Sequence, residues 1–327
     1  MVSVIIPTYN RANYIDRAIK SILNQTYKDI EVIVVDDNNP NTEARKLLEE
    51  KMKKYEADTR VKYLQHTKNM NGAVARNTGI KIAKGDYITF LDDDDYFLSD
   101  RLEIMIKQLE ENPEYSCAYS SNIVTSNKKI IGENIAIKSG SLKKELLLGE
   151  FSFGSGSNMF FKSEAIKKIN GFDETFQRHQ DIETMIRFFN NGKILAVREF
   201  LLVKTQDDRS NEPNMEKYIS VKENYFKAFK KDVESLDIGD QKMFYKNNYM
   251  QLVNTSIKTK EKKYYIEFKD KARKYGKITF KDAIRMFTLY INNYIKIENI
   301  KYFVKRVKLS IKIDKKIKKE IHYYESI

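Results

Sequence analysis

The chain reads as an α/β protein, a doubly wound sheet with a helical appendage on its C-terminal side. Three observations predict this. Short β-branched runs alternate with helical periods over roughly the first 120 residues, and polar clusters end three of those runs. Beyond about residue 215, aromatics at helical spacing replace the strand-like segments.

Taken in order, VSVIIPTY (2–9) and IEVIVVDD (30–37) are apolar and bounded by polar residues, as buried parallel strands are. Between them Ile15, Ala18, Ile19, Ile22 and Leu23 recur at helical spacing. TEARKLLEEKMKKY (42–55) predicts a second helix, VKYLQ (61–65) a strand, GAVARNTGIKIA (72–83) a third helix and YITFLD (87–92) a further strand. A helix is expected from about Ser99, with Leu102, Met105, Ile106 and Leu109 turned inward. From CAYSS (117–121) to KILAVRE (193–199) the pattern is mixed. A hairpin is predicted at TSNKKIIGEN (125–134), and a Gly/Ser-rich loop, GSGSN, lies at 154–158. Pro213 and the polar stretch DDRSNEPN then break the pattern. The expected domains are therefore 1–214, with halves of about 1–120 and 121–214, and a helical 215–327.

Composition bounds the function. A hydrophobic content of 41%, with 18 Phe and 21 Tyr, predicts a folded chain. Cys117 is the single cysteine, which excludes an intramolecular disulfide and reads as a small buried hydrophobe on a strand. No apolar run reaches the roughly 18 residues of a membrane span. MVSVIIPTYN lacks the charged region and cleavage site of a signal peptide, so a cytoplasmic location is expected.

The net charge is +13, and residues 296–319 carry ten Lys/Arg against two acids, so most of the excess is local to that run. There Phe303, Val307 and Ile311 form one helical stripe among lysines. That pattern predicts either peripheral contact with the inner face of the cell membrane or packing within a homo-oligomer. The tail is thus expected to serve location or assembly. A nucleic-acid partner is not expected, because the clusters that end the strands are acidic.

Those clusters are PTYNR (7–11), DDNN (36–39) and DDDD (92–95). Open α/β sheets bind ligands at the carboxyl edge of their strands, where all three are predicted to lie. Neither a G-x-G-x-x-G nor a G-x-x-x-x-G-K-[ST] loop is present, which argues against a dinucleotide or P-loop site. Four adjacent carboxylates repel one another, and a hard cation, Mn²⁺ or Mg²⁺, would make them worth keeping by bridging to phosphate. An EF-hand counted from Asp92 to Glu103 fails, because Tyr96 and Phe97 stand at its fifth position and its required glycine.

VSVIIPTYNRANYIDRAIKSILNQT, IEVIVVDDNN, NGAVARNTGIKIAKGDYITFLDDDD and NGFDETFQRHQDIETMIRF together resemble the inverting family 2 glycosyltransferases of bacteria, over roughly residues 1–210. The resemblance implies a GT-A fold, a Rossmann-like nucleotide-diphospho-sugar transferase domain. It also implies a UDP-sugar donor and a saccharide, lipid-linked or glycoprotein acceptor in surface-glycan synthesis. Pro7, Tyr9 and Arg11 would line the nucleoside pocket, and Asp37 would accept from the uracil N–H. Asn71 and Arg76 would reach the base and the diphosphate. Asp92 and Asp93 would lie toward the ribose and Asp94 would bind the metal, in a register ambiguous by one residue. Asp95 is left as a helix-entry charge.

Displacing a diphosphate needs a base for the acceptor hydroxyl. Relatives show Glu-Asp where this chain has Gln180-Asp181, so the resemblance implies Asp181 as base and Gln180 as a hydroxyl-binding residue. Glu183 is the fallback, expected to face elsewhere and to pair with Arg187. Arg209 would meet the phosphates, with Asp207 or Asp208 near the metal, and GSGSN would frame the acceptor pocket. Two other readings compete. A metal-dependent sugar nucleotidyltransferase shares the strand-end acids but not PTYNR and RHQD together. A basic nucleic-acid- or membrane-binding protein would explain the charge alone.

Overall fold

The computed structural model of the protein describes residues 1–206, 214–294 and 313–327. The described residues form two compact units. The first holds 1–143, 153–206 and 313–327, and the second holds 144–152 and 214–294.

The first unit is built on β1 (Val2–Thr8), α1 (Ile15–Leu23), β2 (Ile30–Asp36), α2 (Glu43–Lys53), β3 (Val61–Gln65), α3 (Gly72–Ile82) and β4 (Tyr87–Phe90). These β-α repeats give parallel pairing of β1 with β2 and β4, and of β2 with β3, with Val2 opposite Ile30 and Thr8 opposite Asp36. Nearly every residue of β1 and β2 is buried, which is why both runs lack polar alternation. On α1, Ile15, Ala18, Ile19 and Ile22 are fully buried against that sheet. α3 comes close enough to β1 that a side chain at Gly79 would collide with Ile5, so glycine there sets the helix-to-sheet distance.

β5 (Tyr96–Phe97), α4 (Arg101–Glu111), β6 (Cys117–Ser126), β7 (Lys129–Asn134), α5 (Lys143–Leu148), β8 (Phe160–Lys162), α6 (Ser163–Lys168), α7 (Gln180–Phe188) and β9 (Ile194–Thr205) follow in the chain, and of these α5 belongs to the second unit from Lys144 on. The sheet runs β3-β2-β1-β4-β8-β6-β9-β5, with β7 paired to β6. Short β8 is antiparallel to both β4 and β6, which joins the parallel half to the rest. The predicted hairpin is present as β6 and β7, turned by Asn127 and Lys128 at φ of 47° and 61°, as a two-residue turn of this hand requires. Cys117 is buried on β6, and burial pushes its thiol pKa up.

The second unit is helical, as its sequence predicts: α8 (Met215–Ala228), α9 (Lys230–Glu234), α10 (Ile238–Lys258), α11 (Lys262–Tyr275) and α12 (Phe280–Tyr294). Asn214 and Asp237 cap α8 and α10 through side-chain oxygens. Met215, Met250, Leu252, Val253, Ile257, Phe268 and Ala272 make its core.

The expected domain boundaries need one revision. The last helix, Lys315–Ser326, belongs with the first unit rather than with the helical appendage. Ile313, Ile321 and Tyr324 are buried against Tyr96, Leu98, Ile123 and Val203. The alternation of lysines with these apolar residues, read as a location signal, is in this part the solvent face and the core face of a packed helix. The stripe of Phe303, Val307 and Ile311 lies outside the described residues.

Candidate active site

β1, β2 and β4 lie side by side and parallel, so the polar clusters that follow them meet at one edge. Near the end of β1, Pro7 is half-buried, and Tyr9, just beyond the strand, is 45% exposed. Arg11 turns back across that edge, pairs with Asp94 and lies 3.6 Å from Asp93.

Asp37, after β2, is engaged on both carboxylate oxygens. One carboxylate oxygen lies 2.7 Å from His66 Nδ1 and 2.9 Å from the Met70 amide N; the other accepts from Asn69 Nδ2 at 2.8 Å and the Asn71 amide at 3.0 Å. These four contacts tie the 66–71 loop to the sheet edge. Asn71 is likewise spent locally. At φ 100° it caps α3, accepting from the Ala73 and Val74 amides, and its Nδ2 donates to the Glu174 carbonyl. It shapes the start of the helix that carries Arg76.

Arg76 projects from α3 between two elements distant in sequence. Its Nη2 is 2.6 Å from Asp92 Oδ1 and its Nη1 is 3.0 Å from Gln180 Oε1. Gly72 and Gly156 both border the guanidinium, and a side chain at Gly72 would crowd both Arg76 and Gln180. Gln180 opens α7, and its amide Nε2 donates to the Phe176 carbonyl, so it spaces Arg76 from the helix start.

The four aspartates separate into distinct environments. Burial works against charge on Asp92, but Arg76, Lys204 and Arg11 outweigh it and hold its carboxyl below the usual range. Burial, then Asp94, pushes Asp93 up to about 8, and burial, then Asp92, pushes Asp94 up to about 6. Burial, then Asp94, pushes Asp95 up to about 7. Asp95 turns away from the edge and accepts from Ser157 Oγ at 2.7 Å and the Thr205 amide at 3.0 Å. It is a structural tie rather than a helix-entry charge. Asp92 and Asp94 keep more exposed side chains, 31% and 13%, than Asp93 at 5%. Asp92 and Asp94 are thus the more accessible of these three carboxylates.

A hard divalent cation fits these donors only in part. Among the described residues no three carboxylates or imidazoles converge into a closed cage. An oxygen-loving ion held by one or two carboxylates, with phosphate oxygens completing its shell, does fit Asp94 and Asp92.

Asp181 sits in the first turn of α7 and accepts from the Ile182 amide at 2.9 Å. Burial raises its carboxyl pKa and nearby Arg76 partly offsets the rise. Glu183 is turned into the protein and bonded by Arg187, whose Nη2 also donates to the Gly171 carbonyl at 2.8 Å. His179, at φ 59°, is the left-handed residue that precedes α7. Arg209, Asp207 and Asp208 lie outside the described residues.

The GSGSN segment forms a tight turn at Gly156–Asn158. Ser157 Oγ accepts from the Asp92 amide at 3.0 Å while donating to Asp95. Beneath it Arg101, fully buried, donates to Ser120 Oγ at 2.7 Å and to the Ser157 carbonyl at 3.3 Å, and its guanidinium carbon lies 4.6 Å from the Phe97 ring centroid. No motif in the sequence announced Arg101 or His66. One signal was present: Arg101 opens a helix, where a positive charge opposes the helix dipole and needs another reason to be there.

Residues 3–170 match the model of the family described as Glycosyl transferase family 2. An uncharacterised glycosyltransferase of Methanocaldococcus jannaschii is 32% identical over 234 residues, 67% of this chain and 73% of that protein. The Escherichia coli protein WfgD, a UDP-Glc:alpha-D-GlcNAc-diphosphoundecaprenol beta-1,3-glucosyltransferase, is 28% identical over 257 residues, 76% of this chain and 92% of its own. Uncharacterised glycosyltransferases of Rickettsia conorii and related species are longer. The chain spans 17% of the Rickettsia conorii protein, at 47% identity over 111 residues that make up 34% of this chain. Among solved structures, S. aureus TarS 1–349 in complex with UDP-GlcNAc superposes with a TM-score of 0.62 at 17% identity, covering 96% of this chain and 93% of that one. That likeness speaks for the fold.

Proposed function

The chain belongs to glycosyl transferase family 2, and from that premise we propose that it is an inverting enzyme that uses a UDP-sugar. The group transferred is a hexose or N-acetylhexosamine. The acceptor is a saccharide on a lipid diphosphate carrier, in the synthesis of a surface polysaccharide. That the chain is a GT-A glycosyltransferase is already given by its family and fold.

One observation carries the mechanistic reading: Arg76 links Asp92 and Gln180, so the strand-end acids and the first turn of α7 border one crevice. Tyr9, exposed just beyond β1, would stack on the nucleoside base. Arg76 and Arg11 would exchange their carboxylate partners for diphosphate oxygens, the charge-assisted contacts that guanidinium forks favour. Asp94, with Asp92, would hold Mg²⁺ or Mn²⁺. When bound, the ion would neutralise charge on the departing diphosphate.

Asp181 takes the proton from the acceptor hydroxyl as that oxygen attacks the anomeric carbon. The bond to the diphosphate breaks on the opposite face, and configuration inverts. Its burial suits a base, because a carboxylate held above its ordinary pKa takes a proton more readily. The diphosphoundecaprenol named for WfgD supports the lipid-linked acceptor. Bound UDP-GlcNAc in TarS supports the donor class.

The lipid-linked substrates named for relatives also support work at the cytoplasmic face of the membrane by peripheral contact. Among the described residues no helix is long and apolar enough to cross a membrane. A screen of UDP-sugars against a lipid-diphosphate-linked sugar, read by UDP release and by product NMR, tests the proposal. Retained configuration, or release from none of the UDP-sugars, would refute it.

A further inference from the structure

We propose that the last helix is a working part of the catalytic unit: Glu325 positions Arg17, and Arg17 positions the acidic loop at Asp94. The inference rests on reading Asp92 and Asp94 as the donor-binding acids.

Arg17 lies on α1 and is 7% exposed. Its Nη2 donates to the Asp94 carbonyl at 2.6 Å and to Thr205 Oγ1 at 2.8 Å, directly beneath the loop. Its guanidinium carbon stands 4.9 Å from the Tyr96 ring centroid. A guanidinium this deep needs an anion. Its helix neighbour Asp16 is already engaged by Lys51, Lys54 and Tyr55. The carboxylate that meets Arg17 is Glu325, at 3.4 Å and 308 positions along the chain. Glu325 is itself 9% exposed and also accepts from Thr125 Oγ1 at 2.8 Å and Tyr96 Oη at 3.2 Å.

The same helix grips the far side of the loop. Glu320 accepts from the Ser99 amide at 3.1 Å, and Lys316 pairs with Asp100 at 2.5 Å. The segment from Asp94 to Asp100 is therefore fastened below Asp94, at Tyr96 and at the entry to α4.

Charge gives the arrangement a second effect. With Glu325 gone, the buried Arg17 guanidinium would stand without a counter-charge against the Asp94 carbonyl, at the acidic loop. Glu325 thus keeps a buried cation from competing for the acids that are needed for the donor. Arg17 and Glu325 are positioning residues, since neither is placed to touch the substrate.

The test pairs activity with hydrogen exchange of the 91–98 peptide in the full chain. Glu325→Ala and Arg17→Met should each speed amide exchange in that peptide and lower kcat/KM about ten- to hundredfold, the size of a lost charge-assisted hydrogen bond. The double variant should be no worse than either single one, since both break one link. Glu325→Gln keeps the side-chain shape and should fall between wild type and Glu325→Ala, which serves if the alanine variant does not fold. Ile321→Ala loosens the packing of the helix without touching the polar link, and Lys318→Ala is a solvent-face control. Lys318→Ala should leave the peptide's exchange near that of wild type, and Ile321→Ala, which loosens packing against Tyr96 and Leu98, should raise it clearly less than Glu325→Ala does.

Two results would overturn the inference while the functional reading stands. One is unchanged exchange in Glu325→Ala and Glu325→Gln beside an active wild type. The other is Ile321→Ala opening the loop as much as Glu325→Ala, which would reduce the helix to packing. Loop exchange that responds to Glu325 in a protein releasing UDP from no donor would instead sink the functional reading and leave the positioning role intact.

Discussion

Arg187 and Glu183 are locked together four residues apart on α7, through both the Nε and Nη2 of the arginine. That pair removes Glu183 from candidacy as a base and leaves Asp181 as the carboxylate at the helix start. Asp181→Asn should lower kcat by roughly 10²–10⁴-fold with UDP binding nearly unchanged. Glu183→Gln should instead lower the melting temperature, because the Arg187 bonds to the 169–171 turn depend on it. Steady-state kinetics beside thermal melts would separate the two. A full-rate Asp181→Asn would end its assignment.

The pH profile follows from the same residue. Burial raises the Asp181 pKa, and a base works only when ionised. Activity should therefore fall as pH drops through that raised value, on an acid limb above the ordinary carboxylate range near pH 4. An acid limb at or below that range would contradict the role.

Asp94 and Asp95 are adjacent, yet they should fail differently. Asp94→Ala should abolish turnover and remove the cation's effect on UDP binding, with little change in melting. Asp95→Ala should destabilise by about 1–3 kcal/mol, because Ser157 Oγ and the Thr205 amide lose a buried acceptor. Chelation by EDTA should stop the wild type, and added Mn²⁺ or Mg²⁺ should restore it. Full activity in excess chelator would rule the ion out.

Arg76→Lys keeps the charge but loses the fork that reaches Asp92 and Gln180 together. The donor KM should rise about tenfold or more, the worth of one charge-assisted contact. Calorimetric titration with UDP would read the same loss without turnover. Unaltered UDP affinity would show that Arg76 only braces the crevice.

In the helical unit, Lys222 is buried against the side-chain oxygens of Asn248 and Gln251, and burial pushes its pKa down to about 7. Between pH 7 and about 10.4 the unfolded chain binds the proton and the folded one does not, so stability contributed here rises with pH across that window. Lys222→Met should compare more favourably with wild type at pH 6 than at pH 10 in denaturant titrations. A difference that does not change with pH would refute the shift.

The parallel half of the sheet was legible because its strands are buried on both faces and its helices on one, so periodicity alone marks them. Its polar edge was legible for the same reason, each cluster falling where an apolar run stops. What could not be read is how side chains are spent once folded. Asp37 and Asn71 look like ligand-binding groups in a linear sequence. Their donors are backbone amides and side chains brought to them by β3 and α3, and no spacing rule reports that. The last helix escaped for a related reason. Its lysines obscured a buried stripe of Ile313, Ile321 and Tyr324, and Glu325 reads as an ordinary surface acid until Arg17 is beside it.

The span from Tyr96 to Glu325, 229 positions, sets an order of events during synthesis. A ribosome adding roughly 5–20 residues per second needs about 10–45 s to make that stretch. Until then Arg17 lacks its carboxylate partner. The nascent sheet can pair its first strands early, but its crevice is completed only after translation reaches the final helix. A chain that stalls in the helical unit would carry every motif of a glycosyltransferase and still lack the carboxylate that sets its acids in place.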